Sequence, residues 1–354
     1  MATRDSETGA SRSASIVDVA RIAGVSNQTV SRVLTGAQNV SEVTRSAVLE
    51  AMAEVGYTPN AAARALRQGR FGTIGVIVHK LSRTGESSAV EAIVNAARAN
   101  GYTVSLVDVE QVSDVSVEAA VERLQHQLID GLIIVRHEMG TALNLRIPAT
   151  MAHVVLDPRL VGPHDTVGAS QEGTREAVRH LLGLGHTTVH HLAGPLDSTP
   201  AIVREEAWRA TLVDAGAPVP DVIRGDWTAA SGFSAWTDFA TSRERGERVT
   251  AVLAASDDMA VGLIHAATES GLVIPADLSV VGFDDIPLAP HLTPPLTTVE
   301  QDFESIGQTL VELLLDQIRR RSSRSSGEKP GYQRRVVPSR LIIRASTAAP
   351  AAQL

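Results

Sequence analysis

Short apolar runs alternate with amphipathic helical stretches along most of this 354-residue chain, beginning at residue 73. Eight runs rich in Val, Ile, Leu and Ala are predicted strands, at 73–78, 102–107, 131–135, 153–156, 188–192, 222–225, 250–254 and 278–282. Helices are predicted between most of them, including 89–100, 173–184, 204–214 and 259–270. Short apolar strands that alternate with helices form parallel sheets covered on both faces. The pattern therefore predicts an α/β body of two similar lobes, with a flexible loop at 321–331 and a last strand near 336–343.

Residues 15–56 show a different pattern, with three short helical segments and no strand-like run. The first helix is predicted to begin with the capping box Ser-Ile-Val-Asp at 15–18, and Gly24 permits the turn after it. Ser26 caps a second helix at 27–34, and a third helix runs from a Ser41 cap to Gly56. The preceding residues, 1–14, are polar and small and are expected to form a disordered arm.

The second of these helices has two distinct faces. Val30 and Val33 point one way, and the polar residues cluster about 200° around the helix from them. Amide, hydroxyl and guanidinium groups are the ones that contact base edges in DNA. The polar face consists of Asn27, Gln28, Ser31 and Arg32, and the predicted inner face of the third helix consists of Val43, Ala47, Val48, Ala51, Met52 and Val55.

Composition narrows the class of protein. Apolar residues make up 44% and charged residues 20% of the chain, which is ordinary for a globular protein. The absence of cysteine excludes disulfides, thiolate zinc sites and cysteine nucleophiles. No apolar run approaches the roughly 18 residues of a membrane span, and the N-terminus lacks the apolar stretch of a signal peptide. We therefore expect a cytoplasmic protein with no membrane partner.

Charge is distributed unevenly along the chain. The formal net charge is −8, but residues 12–70 carry a net charge of +3. This N-terminal segment, the head, is therefore mildly basic, and the acidic excess lies in the rest of the chain, the body. A basic head on an acidic body is compatible with a nucleic-acid contact confined to the head.

Two runs in the head, IVDVARIAGVSNQTVSRVLTG at 16–36 and VSEVTRSAVLEAMAEVGYTPNAAARALR at 40–67, contain a specific combination of motifs. These are A-G-V-S-x-x-T-V-S-R-V-L, V-S-x-x-T-R and G-Y-x-P-N-x-x-A. Through them the chain resembles the lactose/galactose repressor family of bacterial regulators. The resemblance implies a helix-turn-helix DNA-binding domain at 15–58, followed by a hinge helix and linker at 59–71.

The same resemblance implies which head residues contact DNA. Asn27, Gln28 and Arg32 are expected to contact bases in the major groove. The residues expected to hold phosphates are Ser26, Thr29, Ser31 and Asn39. Residues 60–66 are too few for a stable isolated helix, so the hinge is expected to fold on DNA beside its dimer mate. A leucine there would enter the minor groove and kink the duplex; an ordinary interdomain linker is the alternative. The further expected DNA contacts are Asn60, Ala63 and Leu66.

Motifs in the body continue the resemblance as far as residue 347, including GDWTAASGF at 225–233, LAASDDMAVGL at 253–263 and DLSVVGFDDIP at 277–287. They imply a two-lobed body at 72–347, similar to periplasmic sugar-binding proteins, and a tail at 348–354. Ligands of such α/β lobes bind outside the carboxyl ends of the strands. Residues near 79–82 are expected to border the cleft from the first lobe. The expected effector contacts are Asp157, Arg204, Trp227, Ser256, Asp284, Gln301 and Phe303.

Several of these residues have a second interpretation. Asp284 and Asp285 can cap the turn that follows them, and Trp208 is predicted to be core. His180, His186, His190 and His191 fall across a helix end and a strand, so we expect no metal site. The acids of SDDMA at 256–260 lack a partnered base or nucleophile, and no phosphate-binding glycine motif occurs. We therefore expect neither an enzyme nor a cofactor.

The expected function is that of a homodimeric, sugar-responsive repressor on a pseudo-palindromic DNA operator, with a galactoside-like inducer. Only eight residues follow residue 346, too few for a leucine-heptad tail, so no tetramer is expected. One alternative is a member of the same family that senses a purine or needs a co-repressor or partner protein. Another is a free solute-binding protein, although the lack of a signal peptide and the intact helix-turn-helix head argue strongly against it.

Overall fold

A computed structural model of the protein describes residues 14–34, 37, 39–58, 70–109, 114–136, 147–148, 150–244, 249–323 and 332–351. The chain divides into two compact units, Met1–Phe71 and Gly72–Leu354, which we call the head and the body. Most of the predicted arm, hinge and 321–331 loop, and the last three residues, lie outside the described residues.

The described part of the head contains three helices: α1 (Ile16–Ile22), α2 (Asn27–Leu34) and α3 (Glu42–Val55). The predicted capping box begins α1, since the Ser15 N–H donates to the Asp18 carboxylate at 3.0 Å. Gly56 ends α3 with a φ of 63°, in the left-handed region that favours glycine. The predicted helix-turn-helix is therefore confirmed. Its core consists of Val19, Ala20, Val30, Val33, Val48 and Ala51.

One residue of the predicted inner face of α3 lies elsewhere. Val43 is 82% exposed, whereas Val48 is fully buried. They are five positions apart in the sequence, which places Val43 about 140° around the helix from Val48. The prediction for Val43 was wrong because the apolar pattern of α3 is wider than the face that packs.

Two six-stranded sheets form the body, one in each lobe. The first lobe, which we call the N-lobe, has an entirely parallel sheet. Its strands are β1 (Thr73–Val78), β2 (Thr103–Asp108), β3 (Gly131–Val135), β4 (Ala152–Leu156), β5 (Asp165–Ala169) and β11 (Arg334–Val337), in the order β11-β5-β4-β3-β1-β2.

The second lobe, the C-lobe, has a sheet of the same size. Its strands are β6 (His190–Ala193), β7 (Ile223–Arg224), β8 (Ala251–Ala254), β9 (Ser279–Asp284), β10 (Thr297–Gln301) and β12 (Ser339–Ile342), in the order β12-β10-β9-β8-β6-β7. The edge strand β12 pairs antiparallel with β10. The two lobes confirm the predicted architecture.

Helices cover both sheets. The N-lobe carries α4 (Thr84–Ala99), α5 (Asp114–His126) and α10 (Phe303–Ser323), and the C-lobe carries α6 (Glu172–Gly183), α7 (Thr199–Asp214), α8 (Ala229–Glu244) and α9 (Asp257–Glu269). In the described chain the backbone passes between lobes after β5, after β10 and between β11 and β12. None of the helices described is both long and apolar enough to cross a bilayer.

Each of the eight predicted strands overlaps an observed one, but the prediction omitted β5 and β10. Their sequences, DTVGA and TTVEQ, are short and rich in polar residues, although both strands are largely buried. The predicted last strand is two strands, because β11 and β12 belong to different sheets on either side of Pro338. A local sequence pattern cannot show that a predicted strand is divided between the sheets of two lobes.

The predicted core position of Trp208 is confirmed, since it is fully buried and its Nε1 donates to the Val189 carbonyl at 2.8 Å. The neighbouring histidines make structural contacts. His186 lies 3.0 Å from the carbonyl oxygen of Ala348, and His191 bonds the Leu253 carbonyl while burial lowers its pKa to about 4. Among the described residues, no three His, Asp or Glu side chains are placed to hold a metal ion.

Candidate functional site

The exposed face of α2 carries the residues predicted to contact bases. Asn27, Gln28 and Arg32 are exposed and Ser31 is half-buried, while Val30 on the opposite face is fully buried. The helix therefore presents two amides and a guanidinium group outward from an apolar anchor. This is the chemistry that reads base edges in a major groove.

The hydroxyl groups predicted to hold phosphates lie at the beginning of α2. The Thr29 N–H donates to Ser26 Oγ at 3.1 Å, and the two hydroxyl oxygens are 3.0 Å apart. Asn39 is exposed in the segment before α3. Hydroxyl groups beside the positive end of a helix favour a phosphate there.

The three hinge residues of the prediction, Asn60, Ala63 and Leu66, lie outside the described residues. Their contacts with DNA stay predictions.

A cavity of about 80 Å³ lies between the two lobes of the body. The N-lobe lines it with the start of α4 and the ends of β4 and β5, and the C-lobe lines it with α7, β9 and the start of α9. These are mostly the carboxyl ends of strands, where ligands of α/β lobes bind. Six of the seven predicted effector residues meet here: Arg204, Trp227, Ser256, Asp284, Gln301 and Phe303.

A guanidinium–carboxylate pair lies at the centre of this lining. Arg204 Nη2 is 3.6 Å from Asp284 Oδ1, and Gln301 Nε2 donates to the same oxygen at 2.6 Å. Burial lowers the pKa of Arg204, and the charge of Asp284 opposes that effect. The guanidinium carbon also lies 3.7 Å from the centre of the Phe283 ring, a cation–π contact. These contacts hold Arg204 and Asp284 in fixed positions beside the cavity.

The backbone at Asp284 and Trp227 is unusual. Asp284 has a φ of 111° and Trp227 a φ of 79°, both in the left-handed region. Non-glycine residues are held there only where surrounding contacts support them, often at functional sites. Gly194 packs under the indole, because a Cβ at that position would lie 2.3 Å from the Trp227 ring. The half-buried indole thus has one side fixed and still lines the cavity.

Ser256 and Phe303 have structural roles as well as positions in the lining. Ser256 caps α9, accepting a hydrogen bond from the Met259 N–H at 3.3 Å. Phe303 begins α10 directly after the chain returns to the N-lobe. The expectation that Gln301 and Phe303 lie near a lobe crossing is confirmed.

Asp157 does not join this group. Its neighbours Leu156 and Pro158 line the cavity, but its own side chain is fully buried between Arg136 at 3.5 Å and Arg159 at 3.1 Å. The position after a strand brings the backbone to the cleft without fixing the direction of the side chain. In this structure the Asp157 side chain does not line the cavity, and its contact with an effector stays a prediction.

Three charged residues of the lining were not among the predicted effector contacts. Arg83 and Glu86 come from the start of α4, where their side chains are 3.6 Å apart, and Asp258 comes from the start of α9. Thr84 of the N-lobe donates a hydrogen bond to Asp258 of the C-lobe at 2.6 Å. This contact spans 174 residues, and no local signal in the sequence predicts it.

A second, more exposed cavity of about 560 Å³ adjoins the first. Lys80 and Ser82 line it, as expected for the segment near 79–82, together with Asp197 and Asp226 of the C-lobe. Both cavities share Arg83, Thr84, Trp227 and Asp258. The hydrogen bond between Thr84 and Asp258 therefore lies where the inner cavity meets the outer one.

Family models match both units. Residues 15–60 match the model described as bacterial regulatory proteins, lacI family, and residues 178–347 match a periplasmic binding protein-like domain.

Curated relatives match nearly the whole chain. The lactose operon repressor of Escherichia coli (strain K12) is 38% identical over 342 residues, which is 96% of this chain and 92% of that protein. The ribose operon repressor of the same strain is 33% identical over 86% of this chain and 93% of its own. The HTH-type transcriptional repressor PurR of Vibrio campbellii is 30% identical over 86% of this chain and 92% of its own.

The fold matches a solved complex. The crystal structure of the lac repressor dimer bound to operator and the anti-inducer ONPF superimposes with a TM-score of 0.84 at 36% sequence identity. The match covers 96% of this chain and all of that one.

Proposed function

Because this chain belongs to the lacI family of bacterial regulatory proteins, we propose that it is a sugar-responsive transcriptional repressor. In this proposal two copies bind a pseudo-palindromic DNA operator in the cytoplasm through their heads and hinges. A sugar that binds between the lobes then releases the operator. The observation that carries the proposal is the convergence of Arg204, Asp284 and Trp227 on one cavity.

The chemistry of that cavity suits a polyol. The Asp284 carboxylate can accept hydrogen bonds from two hydroxyl groups, and the Arg204 guanidinium group can donate to a hydroxyl or ring oxygen. The Trp227 indole offers an aromatic face to the C–H groups of a sugar ring. Convergent polar groups in an apolar pocket are the usual form of a small-molecule site. We propose a mono- or disaccharide, in particular a galactoside.

The lobes must part for such a ligand to enter. A volume of about 80 Å³ is well below the roughly 300–1,000 Å³ of typical ligand pockets. Opening would break the hydrogen bond between Thr84 and Asp258, the direct link between lobes described above. Lobe movement is thus the step at which sugar binding and hinge separation are coupled. By linkage, the sugar must favour the form with low operator affinity, and operator DNA must weaken sugar binding equally.

Replacing Arg32 by alanine is expected to cost about 1–3 kcal/mol of affinity for the preferred operator and to relax base preference at one position. Gln28→Ala should do the same at another position. Fluorescence anisotropy with an operator selected from random duplexes measures both effects. Arg98→Ala, at an exposed site near the end of α4, is the matched control. Unchanged specificity in both head variants would rule out α2 as the base-reading helix.

A panel of small molecules titrated against the protein–operator complex tests the effector. The panel contains galactose, methyl β-D-galactopyranoside, lactose, ribose and hypoxanthine. Release by a galactoside, accompanied by a change in Trp227 fluorescence, is the expected result. Release by hypoxanthine alone would refute the sugar proposal.

The main alternative is that this family member senses a purine, or needs a co-repressor or partner protein. The similarity to PurR favours keeping a purine in the panel. A purine as co-repressor would tighten operator binding, whereas a sugar inducer would weaken it. The sign of the change in affinity therefore separates the two proposals.

A further inference from the structure

The carboxyl group of Asp257 lies behind the cavity lining, and none of the proposed sugar contacts uses it. The residue is in the first turn of α9 and is fully buried. Its neighbours Ser256 and Asp258 line the cavity, but Asp257 does not. A buried carboxyl group is costly unless its polar atoms are satisfied. Its contacts indicate what it does.

Asp257 connects three elements of the C-lobe. Its Oδ2 accepts a hydrogen bond at 2.9 Å from the Ile286 N–H, in the turn that follows β9. Its Oδ1 is 2.6 Å from the Thr298 hydroxyl on β10. A Cβ at Gly282 would lie 2.0 Å from that same oxygen, so β9 accommodates the carboxyl group only with glycine there. Both oxygens are therefore held in place.

The turn that Asp257 holds is the one that presents Asp284. Asp284 has a φ of 111° and Asp285 a φ of 51°, so two consecutive non-glycine residues lie in the left-handed region. Such a backbone needs external support, and the hydrogen bond to the Ile286 N–H fixes its far end. We propose that Asp257 is a positioning residue, whose carboxyl group holds this turn so that Asp284 points to Arg204 and the cavity.

The protonation state follows from the surroundings. Burial, together with the negative charge of Asp284, raises the pKa of Asp257 to about 8 despite the hydrogen bond with Thr298. The group is therefore mostly neutral at pH 7 and ionises just above it. The Thr298 hydroxyl donates to Oδ1 of the ionised carboxylate. In the neutral form a proton on Oδ1 is donated to the Thr298 oxygen instead, so both contacts are kept. The charged groups around Asp257 are Asp284 and Asp285 in the turn, Asp258 on α9, Arg204 on α7, and Arg344 beside Asp285.

Two substitutions separate this role from a merely structural one. Asp257→Asn is isosteric with the neutral acid, since its carbonyl oxygen accepts from the Ile286 N–H and its amide donates to Thr298. Asp257→Ala leaves the turn without support. The probe is methyl β-D-galactopyranoside, and the measured quantity is the concentration that releases half of the operator. Asp257→Ala should raise this concentration about tenfold or more, and Asp257→Asn by less than about threefold. This measurement rests on the proposed function.

The pH dependence of the sugar concentration needed for operator release tests Asp257 specifically. Ionisation places a second negative charge near Asp284, where it competes for Arg204. The wild type should therefore need more sugar as the pH rises from 7 to 9, whereas Asp257→Asn should show no such rise. Asp277→Asn is the matched control, because Asp277 is exposed, also accepts a backbone hydrogen bond, and lies outside the cavity.

A second measurement needs no sugar. Because the folded-state pKa is raised, the folded protein binds the proton more tightly than the unfolded chain does, and stability is lost as the pH rises toward 8. The unfolding temperature of the wild type should therefore fall relative to Asp257→Asn up to about pH 8 and run parallel above it. If the unfolding temperatures of wild type and Asp257→Asn run parallel at every pH, the carboxyl group of Asp257 is not neutral in the folded protein. If Asp257→Ala is as stable and as sugar-responsive as wild type, Asp257 does not position the turn. If no sugar releases the wild type, the proposed function fails. The unfolding curves then still test the neutral carboxyl group, and an Asp257→Ala variant as stable as wild type would then overturn the support of the turn by Asp257.

Discussion

Replacing Asp284 by asparagine is expected to leave operator binding intact and to make the protein nearly insensitive to sugar. The variant keeps the shape and one acceptor oxygen, but loses the charge that pairs with Arg204 and would receive the sugar hydroxyls. A hydrogen bond to a charged group contributes about 2–3 kcal/mol, so the sugar concentration for half-release should rise roughly 30- to 160-fold. Fluorescence anisotropy of a labelled operator measures this concentration as methyl β-D-galactopyranoside is added to the complex.

The control for Asp284→Asn is again Asp277→Asn, an identical change just before β9 and outside the cavity lining. Arg204 is nearly fully buried, so loss of its partner can also destabilise the C-lobe. Thermal unfolding of both variants separates that effect from the loss of response. A variant that unfolds like wild type and still releases the operator at the wild-type sugar concentration would remove Asp284 from the effector site.

The head could be predicted almost completely from the sequence because its signals are local. The Ser15 capping box, the Ser26 cap and the Gly56 stop each act within one turn of a helix, and all are present. Val43 shows the limit of this reasoning. An apolar residue in a first turn fits the helical pattern, but only packing against the other helices shows whether it is covered.

The lobes were predictable and the path of the chain between them was not. Strand periodicity indicates a strand, but not the sheet it joins, so the division between β11 and β12 could not be foreseen. The cavity shows the same limit. Arg83 and Glu86 line the same cavity as Arg204 only because the starts of α4 and α9 face each other across the lobes, where Thr84 contacts Asp258. Asp157 follows a strand as Asp284 does, yet two arginines hold it away from the lining.

Replacing Gly262 by alanine is expected to destabilise the C-lobe by about 3 kcal/mol or more, since the added methyl group meets only backbone. Its Cβ would lie 1.8 Å from the carbonyl oxygen of Ala229 on α8 and 2.8 Å from the Phe233 nitrogen. Gly232 on α8 faces α9 in the same way, with a Cβ position 2.1 Å from the Met259 carbonyl oxygen. The two helices thus cross in contact and must separate to admit the side chain. Calorimetry should show an unfolding temperature lower by about 6–12 °C.

Gly183→Ala is the matched control for this prediction. Gly183 is exposed in the last turn of α6, and a Cβ there would meet nothing within 4 Å. The same substitution should be neutral or stabilise the protein by up to about 1 kcal/mol, because alanine loses less backbone entropy than glycine in a helix. Separation of the helices would also displace the start of α9, which carries Ser256, Asp257 and Asp258. Gly262→Ala should therefore weaken the sugar response as well, and a variant with wild-type unfolding temperature and response would show that α8 and α9 do not pack this closely.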